Sequence, residues 1–242
     1  MKPIISFKNV VKKYNNQEVL SSLSFQIGKG DVVGLLGQSG IGKTTILKLV
    51  GGLEATTKGK VRIDAEQIGY VFQEPRLFPW KTALENVMLP LKAQGDNKQK
   101  AMDKAMHCLS LMELTQFMDY YPSQLSGGMK QRVSLARAFA IEPDVLLLDE
   151  PFSALDMKLR LSLLALINRQ LSLQPMTVLY VSHSPGEVAS IANKVFMMHS
   201  GHELTQISVS QCKNIEAEFK GNNACTSIKF KSEEKQCFFS TC

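Results

Sequence analysis

Apolar and polar residues alternate over Ile4 to Phe7 and again over Leu23 to Ile27, the period of a strand with one face buried in an antiparallel pair. Asp31 to Leu36 is a nearly unbroken apolar run, the pattern of a strand buried on both faces. Helical spacing follows over Thr44 to Val50, with Ile46, Leu47 and Val50 on one side, and then two short strands, Val61 to Ile63 and Ile68 to Phe72. From Glu74 to about Ile141 the strand patterns stop. Thr82 to Ala93, Lys98 to Leu111 and Gly128 to Ala140 repeat apolar residues at three-four spacing, which predicts an inserted helical subdomain. Alternation of strand and helix then resumes: Val145 to Leu148, helix Met157 to Leu173, Thr177 to Val181, helix Glu187 to Ala192, and Lys194 to Met198. Such alternation argues for a mainly parallel sheet with helices on its faces. Gly201 to Cys242 has weak β-like alternation and carries no readable motif.

Charge alters this picture little. Lys and Arg outnumber Asp and Glu by 28 to 22, which mildly favours anionic partners such as nucleotides or a lipid surface. The charges are too scattered to argue for nucleic acid, and a solvated surface is the plainer reading. No apolar run reaches the roughly 18 residues that a membrane span needs, and Met1 to Val10 has no apolar stretch of a secretory signal. The expectation is a cytoplasmic chain that reaches a membrane only through a partner. Cys108, Cys212, Cys225, Cys237 and Cys242 have no paired or zinc-type spacing, so reduced thiols are expected.

Two strings carry chemistry. Residues 37–45 read Gly37-Gln38-Ser39-Gly40-Ile41-Gly42-Lys43-Thr44-Thr45, between an expected strand and an expected helix. Glycines let backbone N–H groups turn inward around phosphates, and the helix N-terminus adds its positive dipole end. Lys43 can bridge the terminal phosphates, and the Thr44 hydroxyl can ligate magnesium. Val145-Leu-Leu-Leu-Asp149-Glu150 is a buried strand ending in two carboxylates, at the end of a sheet where ligands bind. Asp149 suits a magnesium ion, and Glu150 can take a proton from an attacking water. Alone, this second string also reads as acidic helix capping; beside the glycine loop it reads as a catalytic pair.

Gly37–Thr44, Gln73, Leu125-Ser126-Gly127-Gly128-Met129-Lys130-Gln131-Arg132, Val145–Glu150, Ser153–Asp156 and His183 follow the order and approximate spacing of ATP-binding cassette ATPases. From Ile4 to about Gly201 the chain resembles that family. The resemblance implies a P-loop NTPase-type α/β fold: a mainly parallel sheet, an antiparallel β subdomain and an inserted helical subdomain, over residues 1–201, with 202–242 a tail of unknown role. It implies ATP and Mg2+ as ligands and a second copy of the chain as partner, since Ser126, Gly127 and Gly128 would receive a γ-phosphate bound by the opposite subunit. Gln73 is similar to the glutamine that contacts magnesium and water and senses the helical subdomain, Asp156 to a residue communicating across the dimer, and His183 to a histidine touching the γ-phosphate. Without that context, a lone histidine after a strand is more often structural. Tyr14 stands where the family has an aromatic that stacks on adenine; an exposed turn tyrosine is the ordinary alternative. Two departures stand out: Ser184-Pro185-Gly186 follows the histidine in place of an acidic residue and a regular helix start, and the chain beyond Gly201 does not match the family's usual end.

Within the family, importer ATPase, separate exporter subunit and soluble cassette compete. The chain carries neither a second cassette nor a long coiled coil, against the third. Tyr70-Val-Phe-Gln-Glu-Pro-Arg-Leu-Phe-Pro-Trp80 and Glu85-Asn-Val resemble the nitrate, sulfonate and taurine importer group. That resemblance implies permease subunits and, indirectly, a substrate-binding protein as partners. Leu77, Phe78, Pro79 and Trp80 are expected as an exposed apolar cluster for permease docking.

Overall fold

Asn15 and Asn16 turn the chain between β1 (Pro3–Tyr14) and β2 (Gln17–Gly28), and Asn15 takes the left-handed φ of 53° that tight hairpin turns favour. This computed structural model describes residues 2–153, 155–200, 203–212, 228–232 and 235–239. Both strands run longer than their alternation predicts. Register shifts between Phe7 and Lys13, with Asn9 and Ser22 at φ 49° and 53°, break the period of two while the pairing continues. β4 (Lys58–Ile63) adds to β1, giving an antiparallel sheet in the order β2-β1-β4.

The second sheet takes β3 (Val32–Leu36), β5 (Ile68–Val71), β6 (Val145–Asp149), β7 (Thr177–Val181), β8 (Lys194–Ser200) and β9 (Glu203–Ile207) in the order β5-β6-β7-β3-β8-β9. All neighbours are parallel except β8 and β9. Every residue of β6 and β7 is buried, as continuous apolar central strands require. Helix α1 (Lys43–Val50) contributes its apolar face to the core between the two sheets, with Ile5, Leu20, Leu35 and Leu147. On the opposite face lie α2 (Ala83–Ala93), α3 (Lys98–Leu111), α4 (Gly127–Ala140), α5 (Met157–Leu173) and α6 (Pro185–Ile191). Their core joins Val87, Leu91, Leu109 and Leu135 to Leu146, Leu148 and Tyr180 of the sheet.

Helices α2 to α6 start alike. Thr82, Asn97, Ser126, Asp156 and Ser184 each accept a hydrogen bond from the N–H three residues on, a cap worth about 1 kcal/mol. Thr82 completes a capping box with Glu85. The string Ser184-Pro185-Gly186, which departs from the family's regular helix start, is itself a helix start: Ser184 caps and Pro185 fills the first turn, where a missing N–H costs nothing. Helix α1 alone lacks a capping side chain; Gly42 precedes it at φ 113°.

Beyond Gly201 the chain continues the fold. β9 edges the central sheet, and Cys212 is fully buried, its thiol donating to the Pro185 carbonyl at 3.2 Å. β10 (Ile228–Ser232) and β11 (Lys235–Phe239) pair with each other. The expected thiols Cys225 and Cys242, and the side chain of Cys237, lie outside the described residues. Among the described residues no helix is long and apolar enough to cross a membrane.

Candidate functional site

The loop from Gly37 to Gly42 leaves the C-terminal end of β3 and enters α1. The first N–H groups of a helix have no partner within it, and here no side chain caps them, so they point toward the loop's cavity as an anion site. A Cβ at Gly42 would crowd Leu20 at 3.0 Å and Val19 at 3.1 Å, and its φ of 113° disfavours any other residue. The cavity measures about 350 Å³ and is lined by Val19, Ser39, Gly40, Gly42, Lys43, Thr44, Thr45, Gln73 and Glu150.

Lys43 is only 4% exposed. Its ammonium donates to the carbonyls of Gly37 (2.7 Å) and Gln38 (2.8 Å) and stands 3.9 Å from a Glu150 carboxylate oxygen. Burial lowers its pKa from the ordinary lysine value, while Glu150 and Asp149 pull it back up. A buried cation bonded only to neutral carbonyls and a looser carboxylate is ready to exchange them for phosphate oxygens.

Asp149 closes β6. The Thr44 hydroxyl donates to its Oδ1 at 2.9 Å and the Tyr70 hydroxyl to its Oδ2 at 3.2 Å. Burial raises the Asp149 pKa, and the Thr44 and Tyr70 bonds oppose that rise. Burial also raises the Tyr70 hydroxyl, so it stays a donor. Among the described residues no three His, Cys, Asp or Glu side chains converge on a metal position. The hard oxygens of Thr44 and Asp149 fit a magnesium ion held jointly with substrate phosphates, the usual arrangement for that ion.

Glu150 follows at φ 43°, a left-handed conformation that costs a non-glycine residue about 1–3 kcal/mol. Its N–H donates to the Val181 carbonyl at 3.0 Å, which fixes the turn. Its Oε2 lies 3.3 Å from His183 Nδ1, and His183 is more than half exposed. Gln73 Nε2 donates to the Ser153 hydroxyl at 3.3 Å. Lys43, Thr44, Thr45, Asp149, Glu150, Gln73 and His183 are thereby gathered at one end of the central sheet.

Three expected groups stand apart. Ser126, Gly127 and Gly128 open α4 and line no part of the cavity. A Cβ on Gly127 would meet nothing within 4 Å, whereas one on Gly128 would meet Leu159 at 2.2 Å. Asp156 caps α5. Tyr14 ends β1 with the Lys12 ammonium 4.7 Å from its ring centre, and Val19 of β2 reaches the cavity instead.

The apolar cluster expected at 77–80 is split. Trp80 is 68% exposed, while Leu77 packs on the helical core and Phe78 is half-buried with its ring edge-on to Trp80. Buried Asn86 holds this loop, accepting from Phe78 N–H and donating to the carbonyls of Phe78, Lys81 and Thr82. Tyr70, Ser153 and Asn86 have partners here that their own stretches of sequence do not reveal. The pairing of β5 beside β6 is what brings Tyr70 to Asp149, and no local spacing reports it.

The family model described as ABC transporter matches residues 20–153. The spermidine/putrescine import ATP-binding protein PotA of Thermotoga maritima is 39% identical over 213 residues, 84% of this chain and 58% of the relative. This chain thus spans about three fifths of that relative's length. The aliphatic sulfonates import ATP-binding protein SsuB of Granulibacter bethesdensis is 39% identical over 208 residues, covering 86% of this chain and 85% of the relative. Among solved structures, the dimeric post-hydrolysis state of the ATP-binding cassette MJ0796 bound to ADP and Pi matches with a TM-score of 0.77 and 31% identity, over 85% of this chain and 98% of that one. With the glycine loop, the paired carboxylates and the separate helix start on α4, these likenesses establish that the chain belongs to the ABC transporter family, as an ATPase domain of it.

Proposed function

We propose that the chain is the ATP-hydrolysing subunit of an importer, working as a head-to-tail pair that shares two nucleotide sites. The observation that carries this reading is the division of the phosphate-binding groups. Lys43, Thr44 and the uncapped α1 N-terminus line the cavity, while Ser126 to Gly128 open a different helix outside it. A γ-phosphate seated on Lys43 then meets the open Gly127 face only from a second copy, as two-fold symmetry allows. Bound magnesium would neutralise phosphate charge at Thr44 and Asp149, with Gln73 beside them. Glu150 takes the proton of the attacking water. His183, 3.3 Å from that carboxylate, holds it in place and reaches toward the γ-phosphate. Tyr14, with one face of its ring under Lys12, stacks on the base, and Asp156 faces the partner's site.

Transport follows from the loop after Gln73. Arg137 of α4 donates to the carbonyls of Pro75 and Arg76, and Gln131 to that of Phe72. A shift at Gln73 therefore moves α4 with it, a hinge biased by the nucleotide. The Phe78–Trp80 pair at this hinge is the surface offered to a permease on the cytoplasmic side of the membrane, itself fed by a substrate-binding protein. The cargo is a small oxyanion such as a sulfonate, taurine or nitrate. The sequence over 70–80 and the sulfonate relative support that choice among relatives named for polyamine, sulfate and ferric ion. Replacing Phe78 and Trp80 with Ala tests docking. ATPase activity of the purified subunit is expected to persist while co-purification with the permease and sulfonate uptake fall. Unchanged assembly and uptake contradict the docking role, and uptake of a polyamine in place of an oxyanion contradicts the cargo.

A further inference from the structure

One buried charge cluster lies outside the catalytic groups just described. Glu187 of α6 is 8% exposed. Its Oε2 accepts from the Tyr180 hydroxyl and from the Ser182 hydroxyl at 2.8 Å, and its Oε1 lies 2.8 Å from an Arg160 guanidinium nitrogen. Arg160, on the first turn of α5, also donates to the Leu155 carbonyl at 3.2 Å, one residue before Asp156. Ser182 accepts from the Ser184 N–H at 3.0 Å, so its hydroxyl brackets His183. Through Glu187 and Arg160, the loop that carries His183 is therefore bonded to the loop that carries Asp156. Stability alone is a poor reason for this pair: desolvating two charges costs about as much as their attraction returns. Arg160 Nε is buried without a protein acceptor among the described residues.

We propose that Glu187 and Arg160 are positioning residues that make the loop carrying His183 and the loop carrying Asp156 move as one. This rests on the two-subunit reading above, in which His183 answers to the γ-phosphate of its own site and Asp156 faces the partner's site. The link then carries occupancy of one site to the other and makes hydrolysis cooperative. The guanidinium fork matters as well as the charge, because it meets the carboxylate and the Leu155 carbonyl at once.

The test is steady-state ATP hydrolysis by the full chain carrying Arg160→Gln with Glu187→Gln, which removes both charges and keeps amide hydrogen bonding. The wild-type chain, Arg160→Lys and Ser182→Ala are run beside it. In the paired variant, kcat is expected to fall about tenfold and the Hill coefficient to approach unity, with KM for ATP little changed, a coupling loss typical of linked sites. Arg160→Lys is expected to keep the charge but not the cooperativity. Ser182→Ala, which leaves the ion pair intact, is the milder probe should the paired variant fold poorly, and it too is expected to lower the Hill coefficient. Wild-type kcat and cooperativity in the paired variant, or in Ser182→Ala where the paired variant does not fold, overturn the proposal. So does a loss of activity that merely follows a lowered melting temperature. Sedimentation of Glu150→Gln with ATP separates the two ideas: a dimer there with unaltered kinetics in the variants condemns only the coupling role, whereas no dimer condemns the shared site on which it rests.

Discussion

Glu150 takes a left-handed backbone at the end of a fully buried strand, and this strain aims its carboxylate between Lys43 and His183. Glu150→Gln is expected to keep nucleotide binding and lower turnover by at least about a hundredfold, the lower end of what a general base contributes. Near-normal turnover measured by phosphate release contradicts that role. Asp149 gives a prediction of opposite sign for stability and function. Its folded pKa is raised by burial, so the folded chain holds that proton more tightly than the unfolded one. The sign follows: stability from this group falls as pH rises through the carboxylate range, and ionised Asp149 destabilises the nucleotide-free chain at neutral pH. Asp149→Asn is expected to raise the apo melting temperature by about 2–4 °C per kcal/mol relieved and to abolish the extra stabilisation by ATP with magnesium. A lowered apo melting temperature contradicts the account. Cys108 is buried with its pKa pushed up to about 11, so it should resist alkylation at neutral pH until the chain unfolds. The residues legible from sequence were those whose chemistry sits in a contiguous string. Tyr70 and Glu187 were not, because Asp149 and Arg160 come from other elements, and Asn86 and Ser153 were not, because their bonds to nearby backbone depend on the conformation of a loop that no spacing reports.

At the scale of elements, capping separates two kinds of helix start. Five helices start with a capping side chain, α4 among them, and α1 has none. Gly127→Ala is a test at this scale, since its Cβ would meet nothing within 4 Å. It is expected to leave folding and ATP binding unchanged, measured by thermal melting and nucleotide titration, yet to weaken ATP-dependent dimerisation. Gly59→Ala should behave in the reverse way. Its φ of 81° and a Cβ 2.1 Å from the Asn9 carbonyl oxygen would loosen β4 from β1. A loss of about 2–3 kcal/mol in a denaturant melt is expected. The helices α3 and α5 and strand β7 were legible to the residue, because three-four spacing and an apolar run mark them without interruption. The first hairpin was read too short, since its bulges cancel the alternation that reveals a strand. The chain after Gly201 shows only weak β-like alternation because β9 is an edge strand with only half-buried and exposed residues.

At the scale of the whole molecule, the proposed nucleotide site is one that a single chain does not complete. On the proposed function, the glycine loop and paired carboxylates are one half, the start of α4 is the other, and a second copy would bring them together. On that proposal, dimerisation would follow from ATP binding and hydrolysis would release it. The most direct measurement is the sedimentation of Glu150→Gln with and without saturating ATP and magnesium. A monomer without nucleotide that becomes a dimer with ATP, and stays a monomer when Lys43→Ala is added, is the result this account predicts. A monomer in both conditions, under ATP concentrations shown by titration to fill the site, would contradict it.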